Sequence, residues 1–242
     1  MDKSSTPVRK ENYACINCGS AVGELFKEYS PSVLKMSNCG NCQKMADKYI
    51  EYDPVIVIID LALLNRQAYR HVIFNTSFKN HWKLAIIMLI VEAYYNWSKL
   101  NNIKISKDVP GIHTAFFQGE NNFYVLFVKS AIDVIVVFCT ISILTYLLWT
   151  MYPSKRPECF SKEVLWKSLV LSNFGTFMLI LHMTWGTPES IDPMIFVVTY
   201  IFLSQIQALS AACHSSRCLA FVGASAALCM KLCSRSLLSI VY

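Results

Sequence analysis

The chain has 242 residues, of which 54% are hydrophobic and only 16% are charged, whereas soluble domains carry about 25% charged residues. This composition excludes an ordinary soluble globular protein, and ten cysteines spread among long apolar stretches exclude a small disulfide-bonded secreted scaffold. We interpret the formal net charge of +6 as basic residues that flank membrane segments, and we expect no nucleic-acid partner.

The strongest chemical pattern near the N-terminus is a pair of Cys-x-x-Cys motifs, Cys15 with Cys18 and Cys39 with Cys42. Each motif lets one turn present two thiolates, so the two motifs predict a tetrahedral zinc site at these four residues. Four protein ligands leave no open position, which predicts structural rather than catalytic Zn²⁺. The alternative is a redox-active dithiol pair.

The segment 13–45 around these cysteines predicts a zinc ribbon, with two Cys-x-x-Cys knuckles and a short β-hairpin that turns near Pro31. Gly19 and Gly40 are expected to adopt the positive φ angles that such turns often require.

An apolar stretch follows the ribbon at 54–64 and begins with Pro54, a residue suited to the first turn of a helix. The stretch is too short to cross a bilayer. It predicts either an amphipathic helix that lies on or dips into the membrane surface, or a core helix of the N-terminal domain.

The order of these features, completed by DKYIEYD at 47–53 and AYRHVIFN at 68–75, resembles the N-terminal homology domain of Arv proteins (ACAT-related protein required for viability). The resemblance covers residues 12–76. It implies the endoplasmic reticulum, sterol distribution between membranes, sphingolipid metabolism and glycosylphosphatidylinositol-anchor synthesis, and it offers no catalytic residue. We therefore assign 1–76 to an Arv homology domain and 77–242 to a transmembrane region.

The remaining sequence predicts an all-α multi-pass transmembrane bundle, because a span needs about 20 mostly apolar residues. Glu92 interrupts one candidate span. Lys231 and Arg235 lie in another, where long basic side chains near a helix end can snorkel, which lowers the cost of burying them. We expect four spans and leave a fifth, the last, open; they lie near 82–98, 130–152, 164–185, 193–213 and 218–238.

Basic residues predict the orientation of the bundle. The first 83 residues are rich in Lys and Arg, and Lys155, Arg156 and Lys162 follow the 130–152 span, whereas the loop before Pro193 has neither. Although Lys99, Lys104 and Lys107 fall on the opposite side, the best compromise has a cytosolic N-terminus.

Several weaker signals lie within the apolar region. Glu92 and Asp133 are acidic groups near or inside membrane segments, where charged residues often mark function, and His182 lies inside a span. Leu148-Tyr152-Lys155 and Val91-Tyr94-Lys99 match a loose sterol motif that ordinary interfacial anchoring also explains.

Taken with these patterns, the resemblance to Arv proteins implies a non-enzymatic endoplasmic reticulum membrane protein of sterol and lipid homeostasis. It would mediate sterol transport, with effects on sphingolipid metabolism and glycosylphosphatidylinositol-anchor synthesis. Its expected partners are membrane lipids, sterol foremost, and membrane proteins of lipid or anchor synthesis. The alternatives are a non-catalytic scaffold or assembly factor for a lipid-synthesis complex, and a lipid-modifying enzyme that uses His182 or Glu92.

Overall fold

The computed structural model describes residues 13–30, 33–105, 112–152, 161–185, 193–213 and 217–241. The described chain has two parts, a small head at residues 13–75 and a bundle of long helices that follows it. The predicted fold class, a helical bundle with an N-terminal Cys-x-x-Cys ribbon and a β-hairpin, is confirmed.

The head begins with two short antiparallel hairpins. Strand β1 (Tyr13–Ala14) pairs with β2 (Ala21–Val22), and β3 (Phe26–Ser30) pairs with β4 (Val33–Met36). An isolated bridge between Asn38 and Met45 closes the loop after β4. The first hairpin and this bridge each enclose one Cys-x-x-Cys motif, so backbone pairing fixes both ends of each motif.

Two short helices complete the head. Helix α1 (Pro54–Ala62) starts where the Asp53 carboxylate accepts a hydrogen bond from the Val55 N–H, and Pro54 occupies its first turn. Helix α2 (Arg66–Arg70) is capped in the same way by Asn65, and it continues into one π-helical turn (His71–Asn75). The AYRHVIFN motif therefore forms a continuous helical segment with one π-helical turn.

Six helices form the bundle: α3 (His81–Ile105), α4 (Ile112–Met151), α5 (Lys162–Ser172), α6 (Met178–Trp185), α7 (Pro193–Ala212) and α8 (Arg217–Val241). A short 3₁₀ helix (Asn173–Phe177) joins α5 to α6. These two helices and the 3₁₀ turn between them make up a single long, interrupted element.

Four of the described helical segments are long and apolar enough to cross a membrane: Phe123–Met151, Lys162–Trp185, Met194–Ala212 and Arg217–Ser236. They match the predictions near 130–152, 164–185 and 193–213, together with the one left open at 218–238. The stretch predicted near 82–98 lies within α3, which is helical but is not among the four. Its crossing of the membrane stays a prediction.

The centre of the bundle is an apolar cluster contributed by α4, α5, α7 and α8. Ala220, Ala224 and Ala227 are buried on one face of α8, where they meet larger side chains such as Ile141 and Leu209. Small residues at this spacing let helix backbones approach closely, which is how helices pack in lipid, where the hydrophobic effect supplies little drive.

The head is fixed to the bundle along α7. The buried Tyr69 hydroxyl and the Ser204 hydroxyl form a hydrogen bond of 2.6 Å, and an Nη of Arg66 donates to the Ser210 carbonyl at 2.5 Å. The Tyr200 hydroxyl donates to the carbonyl of Ala62 at the end of α1, at 2.9 Å. Helices α1 and α2 therefore lie alongside a candidate span.

Candidate metal centre

The two Cys-x-x-Cys motifs form knuckles of the same geometry. The Gly19 N–H donates to the Cys15 carbonyl at 2.8 Å, and the Gln43 N–H donates to the Cys39 carbonyl at 2.9 Å. Gly19 has a φ of 87° and Gln43 a φ of 59°, so the residue after the second cysteine is left-handed in both knuckles. The expectation for Gly19 is confirmed and that for Gly40 is wrong, because Gln43 occupies the equivalent position.

The knuckles bring the four predicted cysteines together. The Cys15 and Cys42 Sγ atoms are 3.7 Å apart, those of Cys18 and Cys39 are 3.5 Å apart, and all four lie within 4.8 Å of one another. A tetrahedral zinc ion with Zn–S bonds of about 2.3 Å requires S···S separations of roughly 3.8 Å. The group could therefore hold a metal ion, and its all-sulfur donor set suits zinc.

The sulfur distances do not describe a dithiol–disulfide centre. A disulfide has an S–S bond of about 2.05 Å, and the four thiols are free. The closest pairs also join one knuckle to the other, whereas a redox-active motif uses the two cysteines of one knuckle. The arrangement favours metal binding over the redox alternative.

The thiols differ in how readily they ionise. Burial raises the pKa of Cys15 to about 11. Burial also opposes ionisation of Cys18, but hydrogen bonds from the Ser20 hydroxyl and N–H, and from the thiols of Cys39 and Cys15, lower its pKa to about 6. Since a metal binds thiolates, it would have to displace a proton from Cys15 at neutral pH, and acid would weaken its binding.

Arg70 places a cation beside the first knuckle. Its side chain is buried, and one Nη atom donates to the carbonyls of Ile16 and Asn17 at 3.1 and 2.5 Å. Burial and the nearby Arg66 cation lower the pKa of Arg70 to about 10, so it stays charged at neutral pH. Four thiolates around a divalent ion would carry two negative charges, which this guanidinium would partly offset.

Asp47 and Asn75 connect the ribbon to the end of the helical segment. The fully buried Asp47 carboxylate contacts His71 Nδ1 and accepts from Asn75 Nδ2, both at 2.7 Å. The Asn75 amide also pairs with the N–H and the carbonyl of Ala14, both at 2.9 Å, as a neighbouring strand would. The AYRHVIFN motif, which the sequence identified only through the family resemblance, thus supports the first knuckle through hydrogen bonds.

The acidic residues singled out in the apolar region meet inside the bundle. Arg235 on α8 donates to Asp133 on α4 at 2.6 Å and to Glu92 on α3 at 2.7 Å. The Nζ atom of Lys231 lies 3.8 Å from Glu92, and the Ser234 hydroxyl donates to Asp133 at 3.0 Å. The Arg235 guanidinium therefore bridges two carboxylates of the bundle.

The other residues singled out in the apolar region do not form a common site among the described residues. The His182 ring packs edge-on against Tyr95 at a centroid distance of 6.3 Å, and it joins neither acidic group. Tyr94 packs against Trp97, and Val91 packs in the bundle. Lys155, Arg156 and Lys107 lie outside the described residues, so the motif at Leu148-Tyr152-Lys155 is described only in part.

Comparison with known proteins gives one consistent result. A family model described as the Arv1-like family matches residues 14–209. The chain is 34% identical over 210 residues to Protein ARV1 of Bos taurus and of Homo sapiens, which covers 87% of this chain and 73% and 76% of those proteins. It is 28% identical over 200 residues to Protein arv1 homolog of Dictyostelium discoideum, covering 76% and 80%. No solved structure matches.

Proposed function

The chain belongs to the Arv1-like family, and from this premise we propose that it is a non-enzymatic protein of sterol and lipid homeostasis in the endoplasmic reticulum membrane. Its work would be sterol transport or distribution, with effects on sphingolipid metabolism and glycosylphosphatidylinositol-anchor synthesis. The observation that carries the proposal furthest is the contact of the cysteine head with a multi-pass bundle through Tyr69 and Arg66. This contact supports a head that works at the membrane.

Zinc at Cys15, Cys18, Cys39 and Cys42 is the second part of the proposal. The ion would cross-link the two knuckles, and a bound structural zinc contributes about 10–16 kcal/mol to the folding of small zinc modules. Because the four thiolates fill its coordination, the ion would supply no catalytic position. Its role would be to keep the head in the conformation that packs against α7.

Helix α1 supports a head partly inserted into lipid. None of its residues is buried, and it exposes the large aliphatic side chains of Val55, Ile56, Ile58 and Ile59. Leu63, which follows the helix directly, is also exposed. Ala62 contacts Tyr200, twelve residues before the end of α7, a distance of roughly 18 Å along a helix. We propose that α1 dips into the bilayer beside α7.

A cytosolic head fits the distribution of charge. The head contacts the C-terminal half of α7 and the start of α5, through Ser210 and Val164. The same end of the bundle has Lys162 and Arg217 at the helix starts, whereas residues 186–192 at the other end contain no Lys or Arg. Basic residues mark the cytosolic side, which supports a cytosolic N-terminus.

A scaffold or assembly role is the second candidate, and the exposed ribbon surface favours it. Phe26 and Met45 expose apolar side chains on the head away from its contact with α7. They could receive a membrane protein of lipid or anchor synthesis. Isolation of the protein from its native membrane with a stoichiometric protein partner, lost in a Phe26→Ser variant, would favour this role over direct lipid handling.

The proposal is tested in cells that lack their own Arv1-like protein. Expression of this chain is expected to restore the sterol ratio between endoplasmic reticulum and plasma membrane, measured by lipid mass spectrometry of separated membranes. A Cys15→Ser variant should fail, and Cys139→Ser, at an exposed cysteine outside the quartet, should succeed. An unchanged sterol ratio, with wild-type protein present in the endoplasmic reticulum, would contradict the proposal.

A further inference from the structure

A cavity of about 40 Å³ lies inside the bundle, against the ion cluster of Glu92, Asp133 and Lys231. Its lining also includes three uncharged polar side chains, Asn173, Thr176 and Gln205, and the other lining residues are apolar or aromatic. Such a volume holds two or three water molecules or one small polar group. The cavity is therefore lined by charged, uncharged polar and apolar side chains.

Two of these polar side chains belong to residues that are otherwise almost fully enclosed. Thr176 is 5% exposed and Gln205 is 8% exposed, and neither side chain bonds to a described residue. Asn173 uses its amide N–H on the Leu169 carbonyl at 2.7 Å, which leaves its amide oxygen to the cavity. A polar group without a partner costs about 1–3 kcal/mol when it is fully buried, so water or a polar ligand group in the cavity would stabilise these side chains.

The backbone is interrupted at the same place. Within the candidate span Lys162–Trp185, the α-helix gives way to the 3₁₀ helix Asn173–Phe177, which contains Asn173 and Thr176. Gly175 holds this turn close to α7, because a Cβ there would lie 2.5 Å from Tyr200 Cδ1. Interrupted helices in membrane proteins are tolerated where they line a cavity, and they often form binding sites near the bilayer centre.

The charges beside the cavity restrict what it can bind. Glu92 and Asp133 are matched by Lys231 and Arg235, so the cluster sums to zero when all four are ionised. A charged ligand group would add an uncompensated charge in a region of low dielectric constant. An uncharged group that donates and accepts hydrogen bonds would satisfy Thr176, Gln205 and Asn173 without that cost.

We propose that this cavity binds the uncharged, hydrogen-bonding end of an amphipathic lipid, a hydroxyl or amide group, with the apolar remainder of the lipid along the apolar wall. The inference deepens the proposed function, on which its biological meaning rests. The same chemistry is offered by a sterol hydroxyl, by the amide and hydroxyls of ceramide and by the hydroxyl of diacylglycerol. Water alone in the cavity is the competing outcome.

The test uses the full-length protein in phosphatidylcholine vesicles that contain photoreactive analogues of cholesterol, ceramide, diacylglycerol or phosphatidic acid. At least one uncharged analogue should label peptides of 162–185 or 193–212 in a saturable way, and the excess unlabelled lipid should compete. The analogue that labels identifies the source of the hydroxyl or amide group. Phosphatidic acid should label these peptides no more than at background.

The decisive variant is the double substitution Thr176→Val with Gln205→Leu, which removes the polar groups and keeps similar volumes. Its saturable labelling should fall at least ~10-fold, as expected when hydrogen bonds of about 1 kcal/mol each are lost. The control is Thr199→Val, because Thr199 is exposed on α7 and bonds only within its helix. The double variant should keep or raise its thermal midpoint without added lipid, since it removes unsatisfied groups.

Three outcomes would overturn the inference: no competable labelling by any uncharged analogue, equal labelling of the double variant, or preferred labelling by phosphatidic acid. The first would leave a water-filled cavity. Failure here is separable from failure of the proposed function. Saturable labelling without a restored sterol ratio in cells would contradict the proposed function alone. A restored sterol ratio without saturable labelling would contradict the cavity site alone.

Discussion

The head and the bundle both bury charged groups, but they stabilise them by different means. In the head, Asp47 and Arg70 bond to backbone and side chains around a cysteine quartet that could hold a metal. In the bundle, Asp133 is neutralised directly by Arg235 across two helices. Stability of the head should therefore respond to metal, acid and chelators, whereas stability of the bundle should depend on pairing between its own residues.

The connection between the two regions runs along α7 and α5. Tyr69, Arg66 and Ala62 supply the hydrogen bonds between α1–α2 and α7, and an apolar cluster around Tyr69 and Ile73 packs beneath them. Loss of the head should consequently leave the core around Ile141 and Leu209 intact. Substitutions confined to one region test this independence.

The largest effect is expected from Cys39→Ser, which removes one of the four thiolates. The variant should lose its zinc, and with it most of the ~10–16 kcal/mol that metal binding contributes to modules of this size. Metal analysis of purified protein, together with trypsin cleavage after Lys27, Lys35 and Lys44, reports both changes. Cys139→Ser is the matched control. A Cys39→Ser protein that keeps its full zinc content would contradict the claim that the four cysteines hold the metal of the head.

An intermediate effect is expected from Arg235→Leu, which leaves Asp133 and Glu92 facing each other without their cation. Breaking a fully buried pair costs about 3–5 kcal/mol. Because the Arg235 side chain is 38% exposed, we expect the lower part of that range or slightly less, about 2–3 kcal/mol. The thermal midpoint of detergent-solubilised protein should fall, while its zinc content stays unchanged.

The control for this change is Lys167→Leu, which breaks a pair with Glu163 on a single helix. Glu163 is 63% exposed, and such pairs contribute about 0.3–0.5 kcal/mol. Equal midpoints for Arg235→Leu and Lys167→Leu would show that the ion cluster of the bundle does not stabilise it. A loss of zinc in Arg235→Leu would show instead that the two regions are coupled.

The smallest effect is expected from Gly19→Ala, which puts a Cβ on a residue with a φ of 87°. A left-handed conformation costs an L-residue about 1–2 kcal/mol, so the zinc affinity of the head should fall by roughly 5- to 30-fold. Gly23→Ala is the control, since a Cβ there meets no atom within 4 Å. Competition with a chromogenic chelator measures both variants, and equal affinities would mean that the knuckle tolerates the substitution.

Spacing along the chain was enough to predict the elements that depend on local sequence. Two residues between cysteines define a knuckle, so Cys15, Cys18, Cys39 and Cys42 could be grouped before their distances were known. Long apolar runs likewise located the candidate spans, since crossing a bilayer requires a minimum length. The family resemblance at 12–76 is confirmed by the family match over 14–209.

What the sequence could not show were contacts between distant residues. Arg235 and Glu92 are 143 positions apart, and nothing in a single sequence predicts their pairing, although an arginine in an apolar helix implies some carboxylate partner. The left-handed residue of the second knuckle was missed because Gln43 carries no glycine signal. Thr176 and Gln205 could not be singled out, because a single sequence does not show which polar residues are buried beside a cavity.

Whether metal holds the head independently of the bundle is tested most directly by hydrogen–deuterium exchange. The experiment uses the full-length protein in lipid, before and after removal of zinc with a chelator. We predict that the purified protein contains stoichiometric zinc. On its removal, backbone amides of 13–75 should lose protection while those of α4, α7 and α8 keep theirs. A zinc-free protein whose head is already protected, or a loss of protection that spreads through the whole bundle, would contradict the division into a metal-held head and a self-sufficient membrane bundle.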